Sequence, residues 1–321
     1  MKVIAIEEHF SVEAVERAAG RDHASPAVGP VADRTRKMAD LGAERLRDMD
    51  AAGITMQVLS LTSPGTQLLD GAMAVPLARQ ANDYLAAAIG SHPDRFAGFA
   101  TLPTPDPHAA AGELERAVTS LGFKGAMIHG LTHDRFLDDP AFWPIFEAAE
   151  HLDVPIYLHP AEPPAAVRDV YFAGFAPAVT FALATSGWGW HVETGLHVLR
   201  LILAGVFDRF PRLQLIVGHM GEALPFFLAR SNARLTPAIT QLPRSVEEYL
   251  RAHVYITTSG IFTVPPLQCT LSVLGADRII FSVDYPFSMN DEGRRFLDEA
   301  PLSAEDREKL AHGNAERLLK L

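Results

Sequence analysis

The residues of this chain that could do chemistry sit where short apolar runs stop. The first run, Val3-Ile4-Ala5-Ile6, ends in Glu7-Glu8-His9-Phe10. Alternate side chains of a strand share a face, so Glu7 and His9 point together and Glu8 points away. Later apolar runs end in His159, His219 and Asp284. Carboxylates and imidazoles converging from several strands suit one borderline divalent ion, Zn2+ or Mn2+. Each of these residues is ordinary alone: a histidine after a strand is commonly structural, and an Asp before Tyr-Pro is commonly a turn former. Their equivalent positions at several strand ends make them a candidate ligand set. On the residues alone, His219 reads either as a ligand or as an acid-base group.

Convergence of that kind needs parallel strands, and the rest of the chain supplies them. After the opening strand, the spacing predicts helix Ala43–Ala52, strand Met56–Leu61, helix Ala72–Ile89, strand Phe96–Leu102 and helix Pro107–Leu121. Strand Phe123–Ile128, helix Pro140–His151 and strand Val154–Leu158 follow, then a helix over Val192–Ala204 and strand Leu213–Val217. Helix Phe226–Arg234, strand Val254–Thr258, strand Arg278–Val283 and a helix capped by Ser303 with Asp306 complete the pattern. Mostly apolar strands alternating with helices predict a parallel α/β sheet, and eight of them predict a distorted (β/α)8 TIM barrel, a single domain over residues 1–321. In such a barrel the site lies at the C-terminal strand ends, where the polar residues fall. Two segments, Ser11–Asp40 and Ala161–Trp190, read as long irregular loops after strands one and five. The first, apart from an expected helical turn over Val12–Ala19, is a candidate lid, with His23, Arg34, Arg36 and Lys37 as its polar content.

Composition narrows the function. The 28 basic and 39 acidic side chains give a net charge of −11, which argues against nucleic acid or an anionic membrane as partner. Cys269 is the only cysteine, so no internal disulfide exists and a reducing, cytoplasmic location is expected. No signal-peptide core or membrane-spanning run is visible. The fourth strand ends Ile128-His129-Gly130, without the bridging lysine of binuclear hydrolytic barrels, which favours one metal ion. Phosphate-binding glycine loops and a nucleophile elbow are absent.

Several motifs together carry a family resemblance: Glu7-Glu8-His9-Phe10, Asp48-Met49-Asp50-Ala51-Ala52-Gly53-Ile54, Leu59-Ser60-Leu61-Thr62-Ser63-Pro64-Gly65, Tyr157-Leu158-His159-Pro160, Gly218-His219-Met220-Gly221-Glu222, Thr257-Thr258-Ser259-Gly260 and Phe281-Ser282-Val283-Asp284-Tyr285-Pro286-Phe287. In these the chain resembles the amidohydrolase superfamily, in its branch of metal-dependent decarboxylases, and within that branch the γ-resorcylate (2,6-dihydroxybenzoate) decarboxylases. The resemblance implies Glu7, His9, His159 and Asp284 as ligands of one divalent metal. It implies His219 as a catalytic neighbour, with Glu222 beside it and Arg230 further along the same helix toward substrate. The implied activity is non-oxidative decarboxylation of a hydroxylated aromatic acid by metal chelation, ring protonation and CO2 loss. Asp284, partly protonated, would deliver the proton, His219 would hydrogen-bond it, and Glu222 would orient His219. One departure stands out: His129-Gly130 replaces the Asn-Gly common in related decarboxylases, which makes His129 a candidate substrate contact.

Phe10, Trp188, Trp190 and Phe287 are candidate walls for an aromatic ring. The apolar helix Leu196–Leu203 and the aromatic loop before it suit a homodimer or homotetramer interface. The competing expectation is a hydrolase of the same fold, in which activated water attacks a lactone, amide or vinylogous C–C bond.

Overall fold

The alternating strands and helices close into a barrel of parallel strands in this computed structural model, which describes residues 1–20 and 30–321; His23 lies outside them. The strands are β1 (Ile4–Phe10), β2 (Met56–Leu61), β3 (Phe96–Gly98), β4 (Ala100–Thr101), β5 (Ala126–His129), β6 (Ile156–His159), β7 (Leu215–Val217), β8 (Val254–Thr257) and β9 (Ile279–Ile280). Each pairs in parallel with its sequence neighbour. The two short strands β3 and β4 are halves of the expected Phe96–Leu102 strand. Phe99 N donates to Leu59 O at 2.9 Å while Ala100 N donates to Gly125 O at 2.8 Å, so the chain hands over from one neighbour to the other.

The lumen is apolar below the site. Ile4, Ile6, Val58, Phe99, Met127, Tyr157, Ile216, Tyr255 and Ile280 form one cluster, joined by Ala315 and Leu319 of the last helix. Val3, Ala5 and Phe10 belong instead to the larger core between strands and helices. Strict alternation from Ile4 and Ile6 would send Glu8 into the lumen. The register against β2 shifts between Ala5 and Glu8, and this irregularity gives the lumen to Glu7 and His9.

The displaced Glu8 closes the barrel. Its carboxylate accepts from Val283 N at 2.9 Å and Tyr285 N at 3.0 Å, in place of ladder bonds to the short last strand. Backbone pairing adds His9 N to Tyr285 O at 2.7 Å and Asp284 N to Glu7 O at 3.1 Å. Burial pushes Glu8 up to about 8 despite the two amides.

Helix α1 (Glu13–Ala18) falls on the expected helical turn, and α2 (Pro30–Ala39) is a further helix within the first expected loop. The outer helices begin with α3 (Ala43–Ala52), α4 (Gly71–Ser91), α5 (Pro107–Leu121) and α6 (Trp143–Leu152). The second expected loop is likewise largely helical: α7 (Ala165–Tyr171), α8 (Pro177–Ala184) and the start of α9 (Gly189–Leu203). Helix α8 is apolar on all sides, with Val179 and Phe181 exposed, so it carries no amphipathic period to read. Then come α10 (Val206–Arg209), α11 (Leu224–Arg234) and the C-terminal helices. The expected Ser303 cap accepts from Asp306 N at 3.0 Å, and Asp106 likewise accepts from Ala109 N at 3.0 Å ahead of Pro107. No described helix is long and apolar enough to cross a membrane.

Candidate active site

The barrel brings Glu7 and His9 from β1, His159 from β6 and Asp284 from just beyond β9 to one point. One donor atom from each lies within 4.8 Å of the others. His159 Nε2 is 3.2 Å from Glu7 Oε1, and His9 Nε2 is 3.2 Å from Asp284 Oδ1. Yet Glu7 Oε1 and His9 Nε2, both buried, have no hydrogen-bond partner among the described residues. Buried polar atoms are rarely left so, and atoms orphaned around a shared centre fit a metal ion. The remaining atoms are fixed by protein. His159 Nδ1 meets Pro160 O at 2.7 Å and His9 Nδ1 meets Ser60 Oγ at 3.3 Å, which leaves each Nε2 for the centre.

Glu7 is held hardest. Its Oε2 accepts from Tyr157 Oη, Ser259 Oγ and, at 3.0 Å, Thr257 Oγ1, so that Oε1 faces the centre. A Cβ on Gly218 would come within 2.8 Å of Glu7 Oε2, so only glycine lets the backbone of that turn pass. Burial would raise the Glu7 carboxyl, but the imidazoles of His219, His159 and His9 outweigh it and hold the group well below the usual range. Burial lowers His9. None of the hydroxyls on Glu7 was singled out from the sequence, although Tyr157 sits two residues before His159 on the same strand face, and Thr257 and Ser259 alternate at the next strand end but one. Also missed was Arg45, fully buried, whose Nη2 donates to His9 O at 2.6 Å and whose guanidinium stacks 4.8 Å over Tyr285.

Beside the quartet lies a second cluster. His219 Nε2 is 3.7 Å from Asp284 Oδ2 and 3.8 Å from Glu7 Oε1, while its Nδ1 donates to Glu222 Oε1 at 2.8 Å. A turn in which His219, Met220, Glu222 and Ala223 all have positive φ aims both side chains the same way. His191, at the start of α9, contacts Glu222 Oε2 through Nδ1. Burial alone would lower His219, but Glu222, Glu7 and Asp284 raise it well above its ordinary value. Asp284 is depressed: burial opposes, and His219 and His9 prevail.

Other expected site residues fall in different places. Phe287 is 46% exposed at the mouth, edge-on to His9 at 5.7 Å, with Arg34 of α2 stacked over it at 5.2 Å. Phe10 is buried on the opposite strand face against Tyr84, because the register shift after Ala5 turns Glu7 and His9 into the lumen; it packs beneath the site and does not line it. His129 is buried behind His159, with Nε2 2.9 Å from Leu61 O and Nδ1 3.2 Å from His159 Nδ1. It also borders a cavity of about 320 Å3 that opens between the loops after β2, β5 and β6. Arg230 is exposed on α11 beside Phe226 and Phe227. Trp188 is exposed on the rim, and Trp190 Nε1 reaches His191 Nε2 at 3.1 Å.

Residues 9–321 match the family described as Amidohydrolase. The chain is 39% identical to a protein of Emericella nidulans named decarboxylase orsB, over 99% of this chain and 97% of that one. It is 38% identical to the γ-resorcylate decarboxylase of a Polaromonas species, over 99% and 98% of the two chains. A crystal structure of dihydroxybenzoic acid decarboxylase from Polaromonas sp., with bound manganese and the inhibitor 2-nitroresorcinol, superposes with a TM-score of 0.90 at 36% identity, covering 100% of this chain and 97% of that one.

Proposed function

The chain belongs to the amidohydrolase family, and from that premise we propose that it is a metal-dependent, non-oxidative decarboxylase of a hydroxylated benzoic acid. The observation that carries the reading is the shared position of Asp284. One of its oxygens faces His9 in the quartet at 3.2 Å, and the other faces His219 at 3.7 Å. A single carboxylate thus joins a place for a cation to a store of protons.

Glu7, His9, His159 and Asp284 would hold the ion, Mn2+ as in the Polaromonas relative or Zn2+. Bound there, it would act as Lewis acid and template toward the substrate carboxylate and a neighbouring phenol oxygen. The residues of the chain do the rest. Phe287 walls one side of the ring, and Asp284, 14% exposed, is the member of the quartet that meets the mouth. Ejecting CO2 directly would leave an aryl carbanion with no π-system to receive the pair, so the ring carbon must be protonated first. Asp284 Oδ2 takes the proton of His219 Nε2 and gives it to the carboxyl-bearing carbon; the C–C pair then returns to the ring as CO2 leaves. One proton is consumed per CO2, and His219 regains it from solvent. Glu222 keeps the imidazole oriented throughout.

The exposed apolar side chains of α8, α9 and α11, among them Phe181, Leu196 and Phe226, support a homodimer or homotetramer, with Arg230 on the face a second copy would cover. The lone Cys269 supports a cytoplasmic setting. The test is to load the protein with Mn2+ or Zn2+, count metal per chain and screen hydroxybenzoates for CO2 release. One ion per chain with CO2 from a phenolic acid is expected. Metal bound, no CO2 from any phenolic acid and turnover of lactones would overturn the reading.

A further inference from the structure

Glu222 is fully buried yet has two oxygens to satisfy, and His219 serves one of them. The other is met by His191 Nδ1. A carboxylate only accepts, so Nδ1 of His191 carries the hydrogen, whichever of Trp190 Nε1 at 3.1 Å and Ser186 O at 3.0 Å engages its Nε2. His191 comes from the first turn of α9, an element that supplies no other residue to the two clusters and that follows the long insert after β6. Its side chain is 19% exposed, whereas that of Glu222 is 0% exposed, so the chain His219–Glu222–His191 runs from the centre toward the surface.

We propose that His191 is a positioning residue for the decarboxylation: its N–H clamps the outer oxygen of Glu222, which fixes the inner oxygen on His219 Nδ1 and keeps His219 Nε2 aimed at Asp284. Without that clamp, Glu222 holds a buried oxygen with no donor and can swing or admit water, and His219 loses its fixed direction. The inference rests on the decarboxylase reading. It adds an element of this chain, the N-terminus of α9, to the parts that the chemistry depends on, and it makes the insert that carries α7 and α8 a support for the site.

The experiment uses the zinc-loaded protein with His191→Phe, which keeps the ring and removes the donor, and His191→Asn, whose amide nitrogen reproduces Nδ1. Metal per chain, kcat, KM and the low-field imidazole N–H proton resonances are measured for each. For His191→Phe we expect about a 10-fold fall in kcat, in line with loss of an outer-shell partner, with KM and metal content unchanged. One low-field resonance disappears and that of His219 moves. In His191→Asn most of kcat and the His219 resonance return. An unmoved His219 resonance in His191→Phe, a loss carried by KM or metal content, or a second metal ion per chain lost with His191 would each overturn the proposal. If wild type releases no CO2 from any hydroxybenzoate, the decarboxylase reading fails by itself, and the resonances still decide whether His191 positions His219.

Discussion

Two clusters of ionisable side chains lie side by side in the barrel mouth and follow opposite rules. In the quartet, Glu7 Oε1 and His9 Nε2 are buried without hydrogen-bond partners, and the other ring nitrogens are tied back to protein. In the neighbouring trio, both Glu222 oxygens and the facing nitrogens of His219 and His191 are paired with one another. Both trios and quartets of such residues could in principle gather a metal ion. The difference lies in which atoms are left open: unpaired lone pairs suit a cation, whereas a closed hydrogen-bond chain fixes where a proton sits. Asp284 belongs to both, so the two functions meet at one carboxylate.

Substitutions can break this distinction in descending order of effect. Asp284→Asn removes the shared group and should lower kcat by about 10² to 10⁴-fold; CO2 release at saturating substrate measures it, and an active variant with metal bound would sink the assignment. His219→Asn removes the imidazole that faces Asp284 while leaving the four expected ligands in place. A fall in kcat of roughly 10²-fold with metal content intact is expected, and parallel metal analysis would expose a ligand role instead. Tyr157→Phe touches only the metal side, since it frees one hold on Glu7 Oε2. About 10-fold weaker metal affinity is expected, read by competition with a chromophoric chelator, while kcat at saturating metal changes less.

A last prediction concerns the stability contributed by a carboxylate outside both clusters. Glu193, two residues beyond His191, is raised from 4.5 to about 7 by burial and then by Asp134. Its folded state binds the proton more tightly than the unfolded chain does, so stability falls as pH rises from about 4.5 to about 7. Glu193→Gln should remove that fall and stabilise the protein at pH 8 by on the order of 1–3 kcal/mol, with little change at pH 4. Denaturant melts at the two pH values check it, and an equal shift at both would show a packing effect instead.

Much of the site was legible because it depends on local parity. The alternation Glu7-Glu8-His9 paired Glu7 with His9 and set Glu8 apart, and strand ends alone gathered His159, His219 and Asp284, while the register shift after Ala5 decided that the pair faces the lumen. Phe10, expected as a wall of the site, lies one residue past His9 and faces the outer core instead. What strand patterns missed were contacts made across the barrel. Glu8 gained its role from Val283 and Tyr285 at the far end of the chain, and His191 gained its role from a left-handed turn at His219–Ala223. Helix α8 was hidden because its apolar residues show no one-sided period.

The sequence by itself determined the barrel, the strand ends and the family, since apolar periodicity and ligand types are properties of short stretches. Only the tertiary structure decided which atoms remain unpaired and which helix meets Glu222. Those depend on distances and burial set by residues far apart along the chain, and no local pattern encodes them.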